Sequence, residues 1–147
     1  MNFYKFLLQE EADFKGRLLS DIWNFTDDEI ELHHNFIQLI FPLDKPSRAV
    51  FHGYYLNDKN VIEQIRNDQS VKDNIIKPKE WFLDFLDRNN RWKNYSDHNQ
   101  LRITRIIECL RLLVSNEEAD NFYKTVISML GSDSKVNNKT LEFWSTA

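Results

Sequence analysis

A run of apolar and basic residues from His98 to Val114 constrains the fold more than any other stretch of the chain. Successive residues of a helix are about 100° apart, and at that spacing one broad face of the run is apolar. That face consists of Ile103, Ile106, Ile107, Leu110, Leu113 and Val114. Gln100, Thr104, Glu108 and Arg111 lie opposite. We therefore predict a long core helix over residues 98–114.

A second line of residues follows the same predicted helix at a spacing of i, i+4, i+7 and i+11. It consists of His98, Arg102, Arg105 and Cys109. Two arginines therefore fall within the apolar arc. A guanidinium group keeps its proton and is costly to bury without a partner. We expect another part of the chain, or a ligand, to supply acceptors for Arg102 and Arg105.

The size and charge of the chain narrow the class of protein. A length of 147 residues predicts one domain over residues 1–147, because a chain of that size buries most of its apolar surface without disulfides or metals. The net charge of -4 argues against a dedicated nucleic-acid binder, which usually carries a basic surplus on one face.

Cysteine content and hydropathy bear on the compartment. Cys109 is the single cysteine, which excludes an internal disulfide framework and indicates a reducing compartment. The first residues resemble no secretory signal, and no apolar run reaches the roughly 18 residues that a membrane helix needs. We therefore predict a cytoplasmic protein without a transmembrane segment.

A second long helix is predicted over residues 26–41. Thr26 followed by Glu29 forms a capping box, and Pro42 favours a stop at the residue before it. One flank of this helix carries Asp27, Glu31, His34 and Gln38, again spaced i, i+4, i+7 and i+11, while Asn35 faces solvent. Because this row matches the basic row in length, we predict that Glu31 contacts Arg102 or Arg105.

The remaining pattern predicts further helices and no strand. Short helices are expected at 3–9 and 18–23 with a bend at Gly16, then a long loop over 42–57, and helices from Asn57 and Asp58, over 71–76, over 81–86, over 115–130 and over 138–144. The helix at 71–76 should end before Pro78. Ser115 and Glu118 should form a second capping box, and Gly131 should cap the end of that helix. Leu141, Phe143 and Trp144 should dock as a tail. We predict an all-α domain of seven to nine helices.

Two motifs resemble those of a known family. Glu31-x-x-His34-x-Phe36-Ile37-Gln38-Leu39-Ile40-Phe41-Pro42-Leu43 is similar to the "H-x-Y-I-Q-W-L-F-P" motif of the opioid growth factor receptor conserved domain, although Leu39 stands where that family usually has tryptophan. His98-Asn99-x-Leu101-Arg102-Ile103-Thr104-Arg105-Ile106 resembles the family's "H-N-x-L-R-I-T-R-I-L". With the lead-in Asp13–Arg17 and the terminal Leu141-x-Phe143-Trp144, the likeness covers nearly the whole chain and is closest in form to small stand-alone members.

The resemblance implies an all-helical domain. The animal member of the family is described as a receptor for enkephalin peptides, associated with the nucleus and the nuclear envelope. By that resemblance the expected partner is a peptide or another small anionic ligand, which arginines recognise through paired N–H donors. The candidate ligand-binding residues are Glu31, His34, Gln38, His98, Arg102 and Arg105.

Other interpretations of the same residues stay open. The two rows could form a salt-bridge network that only fixes helix packing or an oligomer contact. Acid–base catalysis by His34 or His98 with Glu31 and Arg102 is chemically available, but no nucleophile signature or glycine-rich loop accompanies it, so we assign no catalytic residue and no cofactor. The Glu31-x-x-His34 pair occurs once, whereas carboxylate-bridged di-metal bundles need it twice, so we assign no metal site.

Overall fold

The computed structural model describes residues 1–47 and 53–147. In these residues all regular structure is helical. The α-helices are α1 (Phe3–Leu7), α2 (Leu19–Trp23), α3 (Asp27–Leu32), α4 (Ile37–Ile40), α5 (Lys59–Arg66), α6 (Gln69–Arg88), α7 (His98–Leu113), α8 (Asn116–Leu130) and α9 (Asn138–Thr146), with a 3-10 turn at Arg91–Lys93. The prediction of an all-α chain with seven to nine helices is confirmed for the described residues. The chain divides into two compact units, residues 1–78 and 79–147. The single domain over residues 1–147 stays a prediction.

Side-chain caps fix where most helices begin. Five helices have an Asn, Asp or Ser side chain that accepts a hydrogen bond from a first-turn backbone N–H: Asn2 for α1, Asp58 for α5, Asp97 for α7, Ser115 for α8 and Asn137 for α9. Such a bond satisfies one of the amides that have no partner inside the helix. The predicted capping box of Thr26 and Glu29 is confirmed at α3, with both bonds formed.

The first unit, residues 1–78, is built around α1, α5 and the first half of α6. Tyr4 of α1 donates a hydrogen bond to the carboxylate of Asp68, at 2.5 Å. The side-chain amide of Asn74 donates to the carbonyl oxygen of Leu7, at 2.7 Å. These bonds accompany an apolar interior formed by Phe6, Leu7, Leu19, Ile22, Ile30, Phe36, Ile40, Phe41, Ile65, Val71 and Ile75, all fully buried.

The prediction of one helix over residues 26–41 is wrong. The helix ends at Leu32, residue His33 has an extended backbone, and a new short helix begins at Ile37. Asn35, expected to face solvent, is half-buried and accepts two hydrogen bonds from Arg17, one at its side chain and one at its carbonyl oxygen. Because a distant side chain satisfies this carbonyl, the chain need not stay helical there.

The prediction that a helix ends before Pro78 is also wrong. Pro78 lies inside α6, a single helix of 20 residues. A proline in a helix interior removes one hydrogen bond and commonly breaks the helix. Here buried apolar residues precede and follow it in the same helix: Val71, Ile75, Phe82, Phe85 and Leu86. The burial of both halves offsets the lost bond.

The second unit, residues 79–147, is organised around α7, which packs against α8, α9 and the 3-10 turn. The predicted core helix over 98–114 is confirmed almost to the residue. The rings of Trp92 and Trp144 lie 6.3 Å apart and both side chains are buried. The expected docking of Phe143 is wrong, since that ring is 51% exposed and Trp144 alone of the tail aromatics is buried.

Two local predictions in this unit have mixed outcomes. Gly131 ends α8 with a φ of 67°, a left-handed conformation that glycine adopts without strain, as predicted. The second capping box is only half formed: Ser115 accepts from the backbone N–H of Glu118, but the Glu118 carboxylate bonds to Lys79 instead of returning to the cap.

The predicted loop over 42–57 is confirmed where the structure describes it. Residues 42–47 and 53–57 are not helical, and the backbone N–H of Leu56 donates to the carbonyl oxygen of Leu43 at 2.8 Å. His52 lies outside the described residues. None of the helices in the described residues has the length and apolar character needed to cross a membrane.

Candidate functional site

The three predicted site residues of the first unit lie in three different local structures. Glu31 is half-buried in α3, His34 is exposed between α3 and α4, and Gln38 is 7% exposed in α4. Because the predicted helix is interrupted, these side chains do not follow one line on a single helix face. The row deduced from helical spacing is therefore not formed as predicted.

Gln38 holds a buried acceptor. Its side-chain oxygen Oε1 has no hydrogen-bond partner within residues 1–47 and 53–147. A buried amide oxygen in that state costs about 1–3 kcal/mol, so native proteins rarely keep one without a reason. Of the three predicted residues in this unit, Gln38 is the one whose chemistry calls for an added N–H or O–H donor.

A cluster that the residue patterns did not single out holds the break between α3 and α4. The buried carboxylate of Asp13 accepts hydrogen bonds from the backbone N–H of Lys15 at 2.8 Å, from the backbone N–H of Arg17 at 2.9 Å and from the Arg17 Nε at 2.7 Å. The same guanidinium donates to Asn35 through both terminal nitrogens, at 3.1 and 2.9 Å. Gly16, at a φ of 76°, makes the tight turn that returns Arg17 to Asp13. This cluster positions the segment that carries His34.

The predicted site residues of the second unit all lie on α7. His98 is its first residue and is half-buried, Arg102 is 5% exposed, and Arg105 is half-buried. The Arg102 Nη1 donates to the side-chain oxygen of Asn99, at 3.1 Å. The prediction that an arginine lies within the apolar arc is thus confirmed for Arg102.

Burial shifts the pKa values of two side chains on α7, Arg105 and Cys109. Desolvation lowers the pKa of Arg105, while the nearby Cys109 and Glu108 act in the opposite direction. A guanidinium remains protonated at neutral pH in spite of such a shift. Burial also raises the pKa of the Cys109 thiol, and Arg105 offsets only part of that rise. Cys109 is therefore a buried, protonated thiol, which favours the packing interpretation over a reactive one.

Gln100 was predicted on the solvent side of α7 and is instead a buried hub. Its side-chain nitrogen donates to the carbonyl oxygens of Trp92 at 3.0 Å and Asn94 at 2.8 Å. Its own carbonyl oxygen accepts from the indole Nε1 of Trp144, at 3.1 Å. These bonds join α7, the 3-10 turn and α9, and so hold the first turn of α7, where His98 lies, in a fixed setting.

Glu31, His34 and Gln38 thus belong to the first unit, and His98, Arg102 and Arg105 to the second. The contact of Glu31 with Arg102 or Arg105 would join residues of different units and stays a prediction. Among the residues that the structure describes, no group of three or more His, Cys, Asp or Glu side chains is arranged to hold a metal ion.

The chain is all-helical in the described residues, with one buried and one half-buried arginine on α7, and comparison with known proteins places it in a family. The chain is 32% identical over 133 residues to the opioid growth factor receptor of Mus musculus and 31% identical over 133 residues to that of Rattus norvegicus, covering 75% of this chain in each case. The receptor of Homo sapiens is 32% identical over 116 residues. The chain is thus a distant relative of the opioid growth factor receptors.

The similarity covers only part of the length of these relatives. The chain spans about a fifth of the length of the curated relatives it matches: 20% of the mouse protein, 22% of the rat protein and 17% of the human protein. No family model matches the chain, and no solved structure matches it. The resemblance drawn from the two sequence motifs is confirmed at the level of this relationship.

Proposed function

We propose that this chain is a ligand-binding domain of the opioid growth factor receptor type, and that its ligand is a peptide or another small anionic molecule. The relatives are named as receptors, which supports a binding role over a catalytic one. The candidate contacts are Glu31, His34 and Gln38 in the first unit and His98, Arg102 and Arg105 in the second. A reducing, cytoplasmic setting is part of the proposal, since a single cysteine allows no disulfide within the chain.

The buried oxygen of Gln38 carries the proposal. A peptide presents N–H donors at every non-proline residue, and a rotation of the Gln38 side chain on binding would bring its oxygen to one of them. A bond between neutral groups contributes about 1 kcal/mol, and more when the acceptor is otherwise left unpaired. Gln38 would therefore add to the affinity for the ligand.

The arginines of α7 support the second half of the proposal. A guanidinium presents several N–H donors in a fixed plane that matches a carboxylate or phosphate. Arg105 is the better candidate contact, because it is half-buried and not enclosed like Arg102. The hydrogen bond of Arg102 to Asn99 suits a residue that holds α7 in shape.

The test measures binding of a fluorescently labelled enkephalin peptide by anisotropy, with the same peptide amidated at its C-terminus as the neutral comparison. The proposal expects the free acid to bind more tightly than the amide. Arg105→Gln should weaken the free acid by about tenfold and abolish the preference for it. Arg66→Gln, an exposed arginine of α5, is the matched control and should change neither affinity.

Gln38→Leu tests the first-unit contact independently. The substitution removes a buried acceptor without a partner, so the free energy of unfolding should stay the same or rise by about 1 kcal/mol. Peptide affinity should nevertheless fall, whereas Gln64→Leu on the exposed face of α5 should leave it unchanged. If the wild type binds the peptide and Gln38→Leu and Arg105→Gln bind it with the same affinity, these residues do not belong to the site. If neither the acid nor the amide binds the wild type, the proposed function itself fails.

A further inference from the structure

A polar cleft in the second unit lies apart from both rows. It has a volume of about 500 Å³ and opens between the 3-10 turn and the chain that leaves α8. One wall carries Asn90, Lys93 and Asn94, and the other carries Ser132, Asp133 and Lys135. Small-molecule sites usually enclose about 300–1,000 Å³, so the cleft has room for a small ligand.

The two walls are tied to each other by the backbone. The N–H of Lys135 donates to the carbonyl oxygen of Lys93, at 2.8 Å. Gly131 turns the chain out of α8 in a left-handed conformation and so directs Ser132 and Asp133 to the cleft. This bond and the turn at Gly131 bring the two walls of the cleft together.

Hydrogen bonds to α6 and α7 also hold the wall formed by the 3-10 turn. Gln100 donates to the carbonyl oxygens of Trp92 and Asn94, the residues on either side of Lys93. The Trp92 indole donates to the carbonyl oxygen of Leu86, at 2.9 Å, and the Lys93 ammonium lies 5.6 Å from the centre of the same indole ring. Lys93 therefore extends from a backbone that is held on both sides.

The charge of the cleft differs from that of the chain. The whole chain has a net charge of -4, but the residues that line the cleft include two lysines and one aspartate. Within the described residues neither Lys93 nor Lys135 is in a salt bridge. Amide and hydroxyl groups from Asn90, Asn94 and Ser132 add hydrogen-bond donors.

We propose that this cleft is an anion-binding site for a small carboxylate- or phosphate-bearing molecule. Lys93 and Lys135 would neutralise the anion, and the amide and hydroxyl groups would donate to its remaining oxygens. Asp133, as a like charge, would limit affinity for a bare anion. The proposal concerns residues outside the two rows and stands whether or not the rows bind a peptide.

The test follows backbone amide shifts by two-dimensional NMR during titration with inorganic phosphate and, separately, with acetate, at constant ionic strength set by chloride. The amides of Gly131, Ser132 and Lys135 should shift in a saturable way with at least one of the two anions, and the response to each distinguishes phosphate from carboxylate recognition. Lys93→Gln/Lys135→Gln should weaken that binding about tenfold or more. No saturable shift with either anion would overturn the proposal.

Two further variants separate a built site from general charge attraction. Lys124→Gln/Lys139→Gln removes the same charge from exposed positions outside the cleft and should leave the affinity unchanged. Equal weakening by both double variants would mean that the anion responds only to net charge, which overturns the site. Asp133→Asn should tighten phosphate binding severalfold because it removes a like charge. Unchanged or weaker binding in Asp133→Asn would contradict the placement of the anion beside that residue.

Discussion

The Nε of Arg17 lies 2.7 Å from the Oδ2 of Asp13, whose side chain is fully buried. The guanidinium is also held by Asn35 and lies 5.9 Å from the centre of the Phe25 ring. A buried ion pair of this kind contributes less than its Coulomb attraction suggests, because both charges lose water. Removing one partner is much more costly, since the other charge stays buried.

Replacing Arg17 should therefore destabilise the protein strongly. In Arg17→Ala the Asp13 carboxylate keeps only its two backbone donors, and the Asn35 carbonyl loses its donor. We expect the free energy of unfolding to fall by about 2–4 kcal/mol, measured by urea denaturation followed by circular dichroism. The exposed pair of Arg66 with Glu63 is the comparison, and Arg66→Ala should cost no more than about 0.5 kcal/mol. Similar losses in the two variants would show that Asp13 does not need Arg17.

The bond between Tyr4 and Asp68 predicts a pH dependence of stability. The hydrogen bond lowers the pKa of Asp68 from its ordinary value of 3.8 and raises the pKa of Tyr4 from its ordinary value of 10.0. A carboxyl group whose pKa is lowered by folding stabilises the protein at pH values above its unfolded-state pKa, and this stability is lost as the pH falls through the folded-state pKa. A phenol whose pKa is raised by folding stabilises the protein at pH values below its unfolded-state pKa, and this stability is lost as the pH rises through the folded-state pKa. The bond should therefore stabilise the protein mainly between these two values.

Tyr4→Phe tests that window. The variant should unfold at a lower temperature than the wild type at pH 7, and the gap should narrow below the ordinary Asp68 value and above the ordinary Tyr4 value. Thermal denaturation across the pH range measures it. Tyr123→Phe on α8 is the control and should follow the wild type at every pH. A gap that does not change with pH would mean that the phenol contributes by packing and not through Asp68.

A third prediction concerns the ammonium of Lys79, which lies 2.9 Å from the Glu118 carboxylate and 2.7 Å from that of Glu80. Burial alone would lower the pKa of Lys79, but the two carboxylates outweigh burial and raise it above 10.5. A raised lysine pKa contributes stability that is present below the unfolded value and lost as pH rises through the folded one. Relative to Lys79→Met, the wild type should therefore lose stability in alkaline solution, above about pH 10.5.

The two partners of this ion pair should respond unequally to substitution. Glu118→Gln leaves a buried ammonium with one exposed partner and should cost about 1–2 kcal/mol at pH 7, measured by urea denaturation. Lys79→Met/Glu118→Gln removes both charges and should be nearly as stable as the wild type. A double variant less stable than Glu118→Gln would show that the pair stabilises the unit beyond the cost of burying it.

Local patterns in the sequence predicted most helices but not the break at residues 33–36. Thr26, Glu29 and the apolar spacing beyond them all favour a helix, and nothing nearby opposes it. The break depends on Arg17, a residue 18 positions away from Asn35. A helical pattern records only the propensities of its own residues, so a distant donor that satisfies a backbone carbonyl is invisible to it.

The error at Pro78 has the opposite origin. The rule that proline ends a helix describes the local cost, and α6 bears that cost because apolar residues on both sides of Pro78 are buried. Tertiary contacts also explain the error at Gln100. Helical spacing placed this residue opposite the apolar face, but α9 and the 3-10 turn cover that side of the first turn of α7.

The sequence predicted where the candidate residues of α7 lie better than it predicted the row in the first unit. The helical spacing placed Arg102 and Arg105 within the apolar arc, and Arg102 is buried whereas Arg105 is half-buried. The row of Glu31, His34 and Gln38 relied on an unbroken helix, and its straight alignment was lost with that helix. Sequence spacing is accurate within one helix and fails where the helix boundary is itself set by tertiary contacts.

The buried thiol of Cys109 offers a direct measure of opening in the second unit. Since it is the single cysteine and burial raises its pKa, it should react with a disulfide reagent only when the structure opens. At pH 8 the native rate should be about a thousandfold or more below the rate in urea, followed by absorbance. A reference thiol at the exposed Ser128, in a Cys109→Ala background, should react at nearly the unfolded rate. Fast native reaction of Cys109 would mean that α7 opens locally.

The last prediction concerns Gln100, whose side chain joins the 3-10 turn to α7. Gln100→Leu keeps the apolar volume but removes the donor to the carbonyl oxygens of Trp92 and Asn94. Leaving buried carbonyls unpaired should lower the free energy of unfolding by about 2–3 kcal/mol, and the loss should exceed that in Thr140→Val, which removes only a 3.4 Å contact to the same side chain. Denaturation followed by tryptophan fluorescence measures both, because Trp92 and Trp144 flank the hub. Equal small losses in the two variants would show that water replaces the lost donor and that the hub does not hold the first turn of α7.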